Sequence, residues 1–365
     1  MTATPAPDAV LSYPWGETLP ARGEVLELMP GLRWVRMGLP FALNHINLWL
    51  VRDEVDGQPG WAVIDAGIGN ADTREAWTQI FEQALDGLPV LRVIVTHMHP
   101  DHVGNAAWIA RRWGSEAGEA SSSSDCPVWM SATDWAFAQV VRGRAPGDAG
   151  AAAAAFFARH GMADAESLAK VSGRGGYFAA LVPELPARYS RLMDGKVLQL
   201  GATPWRCIAG YGHAPEHMSL WCEPLGVLIS GDMLLPRIST NVSVFDMEPD
   251  ADPLPLFLDS LGRFETLPVD TLVLPSHGKP FRGVTERIAQ LRSHHEDRLA
   301  EVLAACAGRA VSAAEVLPVL FPRSLDLHQT TFAMGETLAH LNALLHAGRL
   351  RRQRGADGVW RFRRV

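Results

Sequence analysis

Between residues 24 and 65 the chain alternates apolar and polar positions in short runs: Val25-Leu26-Glu27-Leu28, Leu32-Arg33-Trp34-Val35, Ile46 to Val51 and Trp61 to Asp65, with Gly and Pro between them. A period of two broken by turn formers predicts four strands in an antiparallel meander. The period then lengthens. After the capping pair Asp72-Thr73, the residues Trp77, Ile80, Phe81 and Leu85 recur on one face of a helix over Glu75 to Leu85. The β-branched run Leu91 to Val95 reads as a buried strand and Gly104 to Trp113 as a helix. The small polar stretch Gly114 to Ser124 reads as a surface loop, and Pro127 to Met130 as a further strand.

Helical spacing fills most of residues 132–190, over 132–142, 148–160, 163–171 and 177–181. Strands return at 197–200, 205–208, 218–222 and 227–229. The helices thus form an insertion between two strand-rich halves, and an insertion on the ligand face reads as a lid that sets substrate choice. An irregular stretch, 234–253, precedes a helix over 254–267 and a strand over 271–274. Two sheets covered by helices predict an α/β sandwich over residues 1–283. A long helix, 284–307, leads into residues 308–365, where helices over 313–320 and 330–345 and a hairpin around Asp357-Gly358 stand in winged-helix order.

The chemistry concentrates after the strand 91–95, in Thr96-His97-Met98-His99-Pro100-Asp101-His102-Val103-Gly104, where three histidines and an aspartate fall within six residues. Such side chains are costly to desolvate unless paired or bound to metal, and open α/β sheets gather ligands at strand ends. Three later positions follow the same logic. His213 in Gly210-Tyr211-Gly212-His213, Asp232 in Ser230-Gly231-Asp232 and His277 in Ser276-His277-Gly278 each follow a strand signal and adjoin a glycine.

Together these stretches resemble the HxHxDH signature and later ligand motifs of the metallo-β-lactamase fold superfamily. The resemblance implies a four-layer αβ/βα sandwich and a dinuclear site. His97, His99 and His213 would hold one metal, Asp101, His102 and His277 the second, with Asp232 as the bridge. Two zinc ions are expected, with manganese or iron as alternatives for the same donors. The superfamily's diiron oxygen reductases carry a glutamate where this chain has His99, which argues against redox chemistry. A water between two such metals has its pKa lowered to about 7, and Asp101 is the candidate for moving its proton. Asp65-Ala66-Gly67 resembles the strand-end Asp-x-Gly that supports the metal site, and His217 the structural histidine after the second ligand motif. Tyr211 is a candidate hydrogen-bond donor to the developing oxyanion, with core packing as its alternative role. An aspartate at position 232 resembles the thioesterase, lactonase and phosphodiesterase branches more than true β-lactamases. The expected activity is hydrolysis of a thioester, ester or lactone, similar to hydroxyacylglutathione hydrolase; the alternative is a phosphodiesterase or endoribonuclease.

Composition narrows the partners. The net charge of −7 conceals seven arginines and one acid from Arg349 onward, a local +6 that leaves −13 on the rest of the chain. An acidic body argues against broad nucleic-acid binding. The helix over 330–345 has no Lys or Arg and carries Phe332, Met334, Leu338, Leu341, Leu344 and Leu345, which favours packing or a homodimer contact over groove recognition. A small-molecule substrate is therefore expected. There is no run of about 18 apolar residues to span a membrane and no export signal at the amino terminus, so the expected location is cytoplasmic. Cys126, Cys207, Cys222 and Cys306 are scattered, as reduced structural thiols would be.

Overall fold

A computed structural model describes residues 11–114 and 126–365. Strands β1 (Val25–Met29), β2 (Leu32–Gly38), β3 (His45–Val55) and β4 (Gln58–Ile64) form the antiparallel meander. Strands β5 (Val90–Ile94), β6 (Val128–Ser131) and β7 (Ser190–Leu192) extend it in parallel to seven strands. The second sheet has five: β8 (Val197–Leu200), β9 (Thr203–Gly210), β10 (His217–Cys222), β11 (Val227–Gly231) and β12 (Leu272–Pro275), with only the β11–β12 pair parallel.

Side-chain alternation decides the layers. On β3, Ile46, Leu48 and Leu50 pack with α1 (Ala71–Gln83), α3 (Ala106–Trp113) and α4 (Ala132–Gly143), whereas Trp49 and Val51 face the second sheet. Trp34 and Trp49 stack there at 6.1 Å. On the far side of the second sheet, Trp221, Leu228 and Val273 meet α8 (Pro253–Leu261) and α9 (Val284–Ala305). Three apolar seams separate four layers, giving the αβ/βα sandwich.

The chain ends in a small domain of α10 (Ala313–Leu320), α11 (Leu327–His346) and a hairpin of β13 (Leu350–Arg354) and β14 (Trp360–Arg364). Its Val316, Leu338, Leu341 and Phe362 share one buried cluster with α8 and α9. Polar bonds fix it further. Val244 donates its N–H to the Gly335 carbonyl at 3.1 Å, and the Asn342 amide donates to the Ala251 carbonyl at 2.9 Å.

Local expectations needed correction where distant backbone intervenes. The cap of α1 is Asn70, whose side chain accepts the Thr73 N–H at 2.8 Å; Asp72 and Thr73 lie inside the first turn. The helix read from Gly104 begins at Ala106 as α3, preceded by a separate short helix α2 (Pro100–Val103), because the Asn105 N–H between them leaves the helical ladder for the Gly67 carbonyl at 3.1 Å. Helix α8 stops at Leu261, where Gly262 begins a run of tighter i to i+3 bonds. Strand β7 was not anticipated, being only three residues long. The loop read at Gly114 to Ser124 lies, from residue 115 on, outside the described residues.

Candidate metal centre

Four strand ends converge. Asp65 follows β4, His97 to His102 follow β5, Asp232 follows β11 and His277 lies two residues beyond β12. The two sheets are joined at this edge: Met218 donates its N–H to the Thr96 carbonyl at 2.8 Å, and Asn47 on β3 donates its own N–H to Ser276 O at 2.7 Å. The buried Asn47 side chain donates to Pro275 O at 2.8 Å, so the sheet holding the first ligands also positions the turn before His277. Gly231 has φ +56°, and a Cβ there would lie 2.2 Å from His217 Nε2. Glycine therefore lets β11 turn and the Asp232 N–H donate to His217 Nε2 at 3.1 Å, which gives His217 a positioning role outside the ligand set.

The ligand atoms fall into two groups, His97, His99, His213 and Asp232, and Asp101, His102 and His277, each within 4.8 Å of one another. His97 Nε2 lies 2.9 Å from His99 Nδ1 and 3.2 Å from His213 Nε2. Asp232 Oδ2 is 3.3 Å from His213 Nε2 and 3.6 Å from His102 Nε2, and its Oδ1 is 3.5 Å from His277 Nε2. Asp101 Oδ2 is also 3.5 Å from His277 Nε2. All seven residues expected to bind metal are thus brought to one place.

The outer nitrogens assign the protons. His102 donates from Nδ1 to Asp65 at 2.8 Å, His213 from Nδ1 to Asn241 O at 2.7 Å, and His277 from Nδ1 to His45 O at 2.7 Å. With Nδ1 donating outward, Nε2 is the atom each ring leaves for a metal, and these Nε2 atoms face one another and the carboxylates. His102 Nε2 and Asp232 Oδ1 are buried with no hydrogen-bond partner among the described residues. Buried polar atoms left without a partner are costly until a cation joins them, and this nitrogen and oxygen set fits divalent metal ions.

The field differs between the groups. Burial, then the neighbouring imidazoles, hold His97 well below the usual imidazole range, and burial does the same to His99. At His102 burial also pulls downward, but Asp65, Asp101 and Asp232 outweigh it and raise the ring well above its ordinary value. His277 is raised against burial by Asp232 and Asp101. The second group thus sits in the more negative surroundings.

Three supporting residues carry no signal in the sequence. Asp134, fully buried in the first turn of α4, accepts the Met98 N–H at 2.8 Å and the Glu216 N–H at 2.6 Å, tying together the loops that carry His97 and His213. Burial pushes its carboxyl up to about 6. Asn241, whose carbonyl orients His213, donates its amide to Glu336 of α11 at 3.3 Å, and burial pushes Glu336 up to about 7. Tyr177 opens α7 (Tyr177–Leu181), which packs on α2; burial, then the Asp101 charge, push its phenol up to about 12. Tyr211, by contrast, has its ring against the inter-sheet core under the Arg263 guanidinium at 5.8 Å, surroundings that suit packing. Its N–H donates to Ser260.

The family described as Metallo-beta-lactamase superfamily matches residues 43–122 and 147–277, more than half of the chain. The chain belongs to the metallo-beta-lactamase superfamily. A second match, to Metallo-beta-lactamase-like, C-terminal domain, covers residues 299–365. This superfamily member is 25% identical over 325 residues to the probable metallo-hydrolase YqjP of Bacillus subtilis (strain 168), spanning 85% of this chain and 91% of that one. Among solved structures it resembles a beta-lactamase domain protein from Burkholderia ambifaria, at 54% identity and TM-score 0.89, over 97% of this chain and 98% of the other. A metallo-beta-lactamase family protein from Thermus thermophilus is similar at 27% identity and TM-score 0.71, over 93% and 100%. The protein is a metallo-hydrolase with a histidine and aspartate metal-binding cluster.

Proposed function

We propose that this metallo-hydrolase holds two divalent ions, zinc in the first instance, and hydrolyses a thioester, carboxylic ester or lactone of a small molecule. Asp232 carries the reading. Its carboxylate lies between the two histidine groups, with Oδ2 3.3 Å from His213 and 3.6 Å from His102 and with Oδ1 3.5 Å from His277, which suits a carboxylate shared between two ions. Ions held there would lower the pKa of water to near neutrality and polarise a carbonyl oxygen.

The residues of the chain supply orientation and proton handling. Asp65, Asn241 and His45 hold His102, His213 and His277 in the tautomer that keeps Nε2 open. Asp101 has one oxygen beside His277 while its side chain is 19% exposed, so it can accept a proton at the site and return it to solvent. The Tyr177 phenol stays protonated at every working pH and is the candidate donor to a developing oxyanion.

Nucleic acid is the less favoured substrate, because Ala333 to Asn342 of α11 are buried and cannot enter a groove. Among the described residues no helix is long and apolar enough to cross a membrane. We place the protein in the cytoplasm because its four cysteines are unpaired and buried, as reduced thiols are. Assays of the metal-replete protein against thioester, lactone, β-lactam and bis-aryl phosphodiester substrates test the reading. Turnover of a thioester or lactone supports it, and turnover confined to the phosphodiester or the β-lactam overturns it.

A further inference from the structure

Beside α2 the site is bounded by residues from three distant parts of the chain. Tyr177 starts α7, which packs on the turn carrying Asp101 and His102, and Gly69 donates its N–H to the Leu181 carbonyl at 2.7 Å, fixing the other end of α7 near Asp65. The Tyr177 ring lies 6.2 Å from Phe41, in the β2–β3 connection, and 5.7 Å from His328, in the first turn of α11. Phe41 stacks on His328 at 5.2 Å. Phe332, one turn further along α11, meets His328 at 4.8 Å and remains 45% exposed.

Arg174 sits within this aromatic cluster. Its guanidinium lies 5.1 Å over the Tyr177 ring and donates to His328 Nδ1 at 2.7 Å. That bond uses one of five N–H groups, and among the described residues no carboxylate pairs with it. Arg92 and Arg144 are paired with acids, Asp53 at 2.6 Å and Asp246 at 2.7 Å, and Arg36 and Arg287 donate to backbone carbonyls; Arg174 has neither kind of acceptor among the described residues. A guanidinium oriented on an aromatic face, with no counter-ion among the described residues and donors to spare, is prepared for an anion. His328 accepts from Arg174 and is therefore neutral, and burial with the guanidinium holds it below the usual imidazole range. Within the cluster Arg174 carries the positive charge, with the Asp326 carboxylate at the cap of α11 also acting on His328, a balance that matches a carboxylate better than a phosphate dianion. Phe41, Tyr177 and Phe332 add apolar surface.

We propose that Arg174 determines specificity by binding a carboxylate at the end of the substrate remote from the scissile carbonyl, while Phe41, Tyr177 and Phe332 hold the carbon chain between the two. The proposal rests on the ester or thioester reading above. The insertion and the C-terminal domain then share one task, since Arg174 and Tyr177 come from the first, and His328 and Phe332 from the second.

Two measurements on the metal-replete protein separate the proposal from that reading. In the first, the N-acetylcysteamine thioesters of adipate and of adipate monomethyl ester are compared. The wild type should favour the free carboxylate by about 10- to 100-fold in kcat/KM, the yield of one charge-assisted pair. Arg174→Gln should level the two, and Arg174→Lys should retain part of the preference. Equal rates in the wild type, or a preference that survives in R174Q, would overturn the proposal. The second is calorimetric titration with succinate, glutarate and adipate against butyrate. A dicarboxylate preference that R174Q removes supports Arg174 even where neither thioester turns over, a result that would sink only the substrate class. Dicarboxylates that bind no better than butyrate overturn the proposal.

Discussion

Asp65 and His102 form a buried pair in which the carboxylate Oδ2 accepts the Nδ1 proton at 2.8 Å. Asp65 has φ +60°, a left-handed conformation that costs a non-glycine residue roughly 1 kcal/mol. The same carboxylate accepts the Thr96 N–H at 2.8 Å and the Thr96 hydroxyl, so hydrogen bonds from the metal-ligand strand offset the strain. Asp65→Ala should lower metal affinity roughly 10- to 100-fold, because His102 loses the partner that fixes its ring. Chelator competition measures this, and an unaltered metal affinity would refute the role.

The wild type, purified without chelator, should carry about two ions per chain, and Asp232→Ala at most one, with turnover lower by orders of magnitude. Elemental analysis alongside activity decides. A D232A protein with full metal content and full rate would remove the bridging assignment.

The Glu336 carboxyl is pushed by burial from 4.5 up to about 7. A folded pKa above the unfolded one means that the native chain holds this proton more tightly. Its contribution to stability is full below about pH 4.5 and is lost as pH rises through about 7, on the order of 3 kcal/mol for a shift of this size. Glu336→Gln keeps an acceptor for the Asn241 amide and has no charge to bury. E336Q should gain on the wild type as pH climbs from about 5 to about 8 in a series of thermal melts; superimposable pH profiles would show that this carboxyl does not behave as its burial requires.

Asp134 uses one oxygen for Met98 and the other for Glu216. In Asp134→Asn one N–H would face an amide NH2, leaving a buried donor unmet at a cost of about 1–3 kcal/mol. The variant should melt earlier and bind metal more weakly, because both ligand loops lose a shared anchor. Wild-type melting and metal affinity together would contradict this.

The two tyrosines give a clean contrast in kcat. Tyr177→Phe should lower kcat by about 100-fold, the worth of one oxyanion donor, whereas Tyr211→Phe should leave it near wild type. The reverse pattern would return the donor role to Tyr211.

The strand meander and four of the seven candidate ligand positions were legible in the sequence because they are local, and His213, Asp232 and His277 were legible through a strand signal beside a glycine and their resemblance to the superfamily's later motifs. Alternation with a period of two needs only neighbouring residues, and one strand end plus one turn brings His97, His99, Asp101 and His102 together wherever the strand lies. Their residue types are also costly enough to bury that a dense run of them has few purposes. What only the tertiary structure decided has partners far along the chain. Asp134 looks like an ordinary first-turn acid after Ser131, yet it reaches back 36 residues to Met98 and forward 82 to Glu216. Arg174 meets His328 across 154 residues, and neither has a neighbour in sequence that hints at the other. Tyr211 adjoins a ligand in sequence and lies against the inter-sheet core, while Tyr177, 34 residues earlier, opens the helix that packs on the turn carrying Asp101. Sequence neighbours share a backbone, but the layer a side chain points into and the docking of a separate helix on the ligand turn are fixed only by tertiary packing.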